Sequence, residues 1–203
     1  MKKILIVLSL MITSLVSGQT RKDTIKGTLN IQLLNSVLLE VSNEMTKDTY
    51  VKLDSVTKTF IELYGKDSGV VHKYHGLNFK AAEYQSSYLA KNVTVYNPKD
   101  NWHRNYKTHR GVLLHDVVER VDYFDPKKTV SVCAEICTIG YLHKAVTYED
   151  LAKQVINNFF GSFPHRRALL SDRPYLSFSS TEGMFGFNGE YKCVFVVGVL
   201  TDF

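Results

Sequence analysis

His165 stands in the string Phe159-Phe-Gly-Ser-Phe-Pro-His-Arg-Arg-Ala168, three residues after Ser162 and directly ahead of Arg166 and Arg167. Glu135 lies inside the apolar, β-branched run from Val130 to Ile139. A carboxylate in such a run is costly unless it is paired, hydrogen-bonded or bound to something. Three more histidines, His103, His109 and His115, share the polar, aromatic stretch from Tyr96 to Arg120. Imidazoles and a carboxylate brought together can work as a general base with its orienting group. They can equally serve as ligands of zinc or another divalent metal, with one coordination position left open. Each residue also has an ordinary reading. His165 would be a surface histidine beyond a helix end, Glu135 a water-facing residue of an edge strand, and the loop histidines solvated.

The elements that must position these groups are legible in outline. Thr147 suits a helix cap, and Glu149 and Asp150 follow where the positive helix end favours carboxylates. Leu151, Val155, Ile156 and Phe159 then recur at helical spacing, and Gly161 and Pro164 end the run. Earlier, Ile31, Leu34, Val37, Leu38 and Val41 predict a helix from Asn30 that runs as far as about Met45. Thr49 to Tyr64 continues in helical rhythm until Gly65 to Gly69 breaks it, and Leu77 to Asn92 reads as a closely packed helix around Ala81 and Ala82. Tyr96 to Arg120 reads as loop, and Gln19 to Thr28 as a loose polar segment. Strands are expected within 130–139, 175–181 and 191–200; Tyr191 to Leu200 is apolar almost throughout, as a strand buried on both faces must be. Gly183 to Gly189 supplies the turn before it.

With 203 residues and 44% hydrophobic content, the chain can bury one sizeable core. The net charge of +5 includes Lys2 and Lys3, and no lysine–arginine block stands out, so a nucleic-acid partner is not expected. Lys2 and Lys3 precede an apolar run from Ile4 to Val16, followed by Val16-Ser17-Gly18. This pattern predicts a cleavable export signal over 1–18 and a secreted or periplasmic mature chain from Gln19. No other stretch approaches the length of a transmembrane span. No nucleotide-binding glycine loop, His-Glu-x-x-His or Gly-x-Ser-x-Gly motif occurs. Export permits disulfides, but the cysteines are three: Cys133, Cys137 and Cys193. On one strand Cys133 and Cys137 would lie about 13 Å apart at about 3.3 Å per residue, beyond disulfide reach. Only Cys193 could bridge to either, and the pairing is otherwise open.

The order of these features resembles the CAP superfamily, the cysteine-rich secretory, antigen 5 and pathogenesis-related proteins, in its bacterial form. Its pattern is a Gly-Glu-Asn strand, a helix ending Trp-x-x-Ser-x-x-His-Arg, then two strands. Here Ala134-Glu135-Ile136 takes the place of the first motif, and Phe159, Ser162, His165 and Arg166 the second. Ala81, Ala82, Ser86 or Ser87, and Leu89 resemble the family's second helix, and Arg120 with Tyr123 and Phe124 its arginine before an aromatic. The resemblance covers Leu77 to Phe203. It implies an α+β fold, an α-β-α sandwich with a mostly antiparallel sheet of three or four strands, in which 19–76 adds a helical segment to a core of 77–203. It also implies a cleft holding His109, Glu135 and His165, with His103 or His115 as alternatives to His109. The second glutamate of animal members has no counterpart, since Asn157, Asn158 and Ser162 occupy that turn. The implied role is binding of a small molecule, lipid or extracellular protein, or of a metal. A His/Glu hydrolase and a surface adhesion or toxin-like module are the alternatives.

Overall fold

The computed structural model describes residues 19–52, 71–97, 99–130, 133–187 and 189–202. The expected leader and most of the helical stretch from Thr49 to Tyr64 lie outside the described residues. The observed elements are α1 (Ile31–Lys52), α2 (Gly76–Asn92), α3 (Val117–Phe124), β1 (Cys133–Tyr141), α4 (Tyr148–Gly161), α5 (Phe163–Leu169), β2 (Tyr175–Phe185) and β3 (Tyr191–Thr201). The three strands form one antiparallel sheet in the order β1-β3-β2, with helices on both faces. The fold is therefore α+β.

β3 explains the layering. It pairs on both sides, opposite β1 from Cys133↔Thr201 to Tyr141↔Cys193 and opposite β2 from Tyr175↔Thr201 to Phe185↔Tyr191. Its side chains alternate between two cores. Val194, Val196 and Leu200 meet α1 and α4, with Leu34, Leu38, Leu151, Val155 and Phe159. Cys193, Phe195, Val197 and Val199 meet the α2 side, with Ala81, Ala82, Leu89 and Val121. Each large apolar side chain buried in this way contributes about 1.5–3 kcal/mol. Gly198 and Gly140 lie where the packing leaves no room. A Cβ on Gly198 would come within 2.8 Å of Phe178 and 2.9 Å of Ile136, and one on Gly140 within 2.7 Å of Val155.

The helix that carries the chain towards His165 starts as expected. Thr147 Oγ1 accepts from Asp150 N at 3.1 Å, and Asp150 Oδ2 accepts from Thr147 N at 3.0 Å, a reciprocal capping box. α1 runs further than its periodicity indicated, to Lys52. Gln19 to Thr28 is tied down where a loose segment was expected. Arg21 pairs with Glu44 and Glu149, and Ile25 N donates to Val146 O. Within Tyr96 to Arg120, read as loop throughout, α3 begins at Val117, because Asp116 accepts from Val118 N and Glu119 N and caps a new helix. None of the described helices is long and apolar enough to cross a membrane.

The cysteines are all free. Strand register explains why: Cys193 lies opposite Tyr141, four positions along β1 from Cys137 and eight from Cys133.

Candidate functional site

Glu135 projects from β1 on the same side as Cys133 and Cys137, towards α3. Its side chain is 1% exposed, and so could not remain charged without partners. Arg120, fully buried on α3, supplies the countercharge. One nitrogen, Nη2, donates to Oε1 at 2.8 Å and to Oε2 at 2.7 Å. The same Nη2 donates to His103 O at 3.3 Å, so the guanidinium also holds the backbone of the loop.

His103 completes the chain of contacts. Its Nδ1 lies 3.1 Å from Glu135 Oε1. A carboxylate paired with a guanidinium is purely an acceptor, so Nδ1 carries the hydrogen and donates it to Glu135. The His103 side chain is 40% exposed, in contrast to the buried pair beneath it. The Cys137 thiol sits 3.6 Å from both His103 Nδ1 and Glu135 Oε1. Burial, then the nearby Glu135 carboxylate, pushes its pKa well above the ordinary value, so it is a thiol and not a thiolate.

His165 approaches from the other side. After Gly161 the chain breaks at Ser162 and starts a second helix, α5, with Pro164 in its first turn. Proline ends one helix here and opens the next, because the first turn needs no proline N–H. His165 therefore sits in the first turn of α5 and not in a loop. Its ring packs edge-on to Phe159 at 5.5 Å and to His103 at 5.8 Å between centroids. Burial, helped by the neighbouring His103, brings its pKa down to about 4. Its imidazole is neutral at pH 7. Among the described residues Glu135 makes no hydrogen bond to His165; the two are connected through His103.

The three loop histidines have different fates. His109, the sequence's first choice, makes no hydrogen bond to Glu135 among the described residues. Its backbone bonds with Val112 in both directions around Arg110 and Gly111, both at positive φ, which is a tight hairpin turn. Its Nε2 bonds Ser87 Oγ at 2.8 Å, and its ring packs on Tyr84 and Tyr88. It fastens the loop to α2. His115 bonds Asn105 O through Nδ1, and its N–H donates to Glu119. His103 alone of the three reaches Glu135. Cys137 was missed as a neighbour, although period-two spacing from Glu135 could have found it. Arg120 was noted only for its place before an aromatic. Nothing in its local sequence says that it would be fully buried under Glu135.

His103, Glu135 and Cys137 bring ligand-type atoms within 4.8 Å of one another. A divalent cation does not fit this set. Both carboxylate oxygens already face a guanidinium nitrogen, His103 Nδ1 is bonded to one of them, and the thiol holds its proton. The arrangement instead presents the outer edges of His103 and His165 to an open groove of about 450 Å³. Tyr96, Lys99, Trp102 and Cys137 also line it. No protein-family model matches the sequence, and comparison with curated proteins returns no significant match.

Proposed function

We propose that the chain is an exported, CAP-like binding protein, and that the groove over His103 and His165 receives a small polar ligand. One observation carries the reading: the buried Arg120–Glu135–His103 sequence of bonds, which fixes the orientation of one imidazole at the groove. A buried ion pair is a costly way to stabilise a fold, since well-packed apolar residues often do as well. Its use beneath an exposed imidazole is economical if that imidazole must keep one orientation. His165, held neutral beside it, adds a second ring and excludes a positive charge from the floor at pH 7. The neutral His165 ring, the oriented His103 ring and Trp102 favour a small ligand with hydroxyl or amide groups and an apolar body. Export is supported by the pattern of residues 1–18, and the family by the order of motifs from Ala81 to Arg166.

Catalysis is the weaker reading. A Glu–His pair can act as a base. The Cys137 thiol lies 3.6 Å from His103 Nδ1, but burial keeps it protonated. The test uses the mature chain, a library of small hydroxylated and amide fragments, and the imidazole resonances of His103 and His165. Fragments that bind should shift both resonances, and His165→Ala and Glu135→Gln should each weaken them. Binding unchanged in both variants ends the proposal for this groove. Stoichiometric metal lost in both variants, with an ester or peptide hydrolysis lost in parallel, replaces it by the hydrolase reading.

A further inference from the structure

A second depression, about 310 Å³ in volume, adjoins the imidazole groove, and Lys99, Asp100, Asn101 and Trp102 line both. Three cations line it: Lys99, Arg104 and Lys107, all exposed. None of them forms an ion pair among the described residues. Asn92, Asp100 and Tyr106 share the lining, and Tyr106 is 69% exposed.

Exposed lysines alone are ordinary. What differs here is how firmly the backbone that bears these side chains is held. Gln85 Nε2 donates to Trp102 O at 2.6 Å, and Tyr106 N donates to Tyr88 Oη at 3.1 Å. Asn105, fully buried, donates from its side chain to Leu114 O at 3.0 Å. Inward anchors thus alternate with outward Arg104, Tyr106 and Lys107. The cations are presented from a preorganised wall, which lowers the entropy cost of binding.

We propose that this depression, next to the imidazole groove, binds an acidic oligosaccharide in which charged and neutral sugars alternate. Carboxylate or sulfate groups would take charge-assisted hydrogen bonds from Arg104, Lys99 and Lys107. The C–H face of a neutral sugar packs on an exposed aromatic ring such as Tyr106, whose hydroxyl stays in water. Asn92 and Asp100 have the donors and acceptors that sugar hydroxyls need. The Asp100 carboxylate works against a strand with a negative charge on every unit, which disfavours nucleic acid.

The experiment titrates the full mature chain with a hexasaccharide of alternating glucuronate and N-acetylglucosamine. A neutral N-acetylglucosamine hexamer and a single-stranded hexanucleotide are titrated alongside, at low salt and at 0.5 M salt. The acidic sugar should bind best and weaken as salt rises, because exposed charges are screened. Arg104→Ala and Lys107→Ala should each weaken it about tenfold, Tyr106→Ala should also weaken it, and Lys144→Ala should leave it unchanged. All four positions are exposed, and thermal melts will show that the variants fold. Failure of the acidic sugar to bind, equal binding of the neutral hexamer, tighter binding of the hexanucleotide, or insensitivity to Arg104→Ala and Lys107→Ala overturns the proposal.

Discussion

Removing one partner of the Arg120–Glu135 pair should be far worse than removing both. In Arg120→Met the carboxylate of Glu135 stays 1% exposed, with His103 Nδ1 as its remaining strong partner. In Glu135→Gln the guanidinium stays fully buried without a countercharge. Breaking a buried pair from either side costs about 3–5 kcal/mol. The double variant Arg120→Met/Glu135→Leu carries neither penalty. It loses the hydrogen bond from His103 Nδ1 to Glu135 and those from Arg120 to His103 O and Leu114 O, of which the last, at 3.5 Å, is long. At about 1 kcal/mol for each, the double variant should lie only about 2–3 kcal/mol below wild type. The coupling energy is then several kcal/mol, well above the few tenths expected of independent sites. Urea titration of the four proteins measures it, as changes in midpoint at constant slope. In thermal melts each single variant should lose about 6–20 °C, at about 2–4 °C per kcal/mol for a chain of this size. Additive single effects, or a loss below 1 kcal/mol in either single variant, would refute the account of Glu135 as a buried charge held by Arg120. The stable double variant separates fold from function, since His103 has lost its orienting partner and ligand-induced shifts of its resonance should vanish.

Acid should destabilise the fold through His72, which is 2% exposed, has neither ring nitrogen hydrogen-bonded among the described residues, and whose pKa burial lowers from 6.5 to about 4. The unfolded chain takes up that proton first. Stability is therefore untouched above about pH 6.5 and falls by about 3 kcal/mol as pH drops to 4; a His72→Gln variant with the same acid slope as wild type would contradict this. Gly198→Ala should cost about 1–3 kcal/mol, because its Cβ would meet Phe178 and Ile136 inside the core; a neutral result in urea would show that the core yields. Thr147→Ala should cost about 1 kcal/mol through loss of the α4 cap, read from the same titration. Thiol-reactive reagent should label Cys193 only on denaturation, since it is fully buried and free; fast labelling of it in the native protein would show that its side of the sheet opens.

Local physics made much of the frame readable in advance. A capping threonine, a helical apolar stripe and a glycine place α4 almost to the residue, because those signals act over a single turn. The uninterrupted apolar run of β3 announces a strand covered on both faces, since only such a strand needs no polar side. Glu135 was conspicuous for the same reason: a charge in an apolar strand requires a partner. The identity of that partner was not local information. His103, His109 and His115 sit six residues apart in one polar stretch, and nothing near them distinguishes the three. The tight turn at Arg110 and Gly111 gives His109 to Ser87, Asn105 holds His115, and Arg120 grips the carbonyl of His103 while pairing with Glu135. These choices depend on how α2, α3 and β1 pack together, so only the tertiary structure could make them.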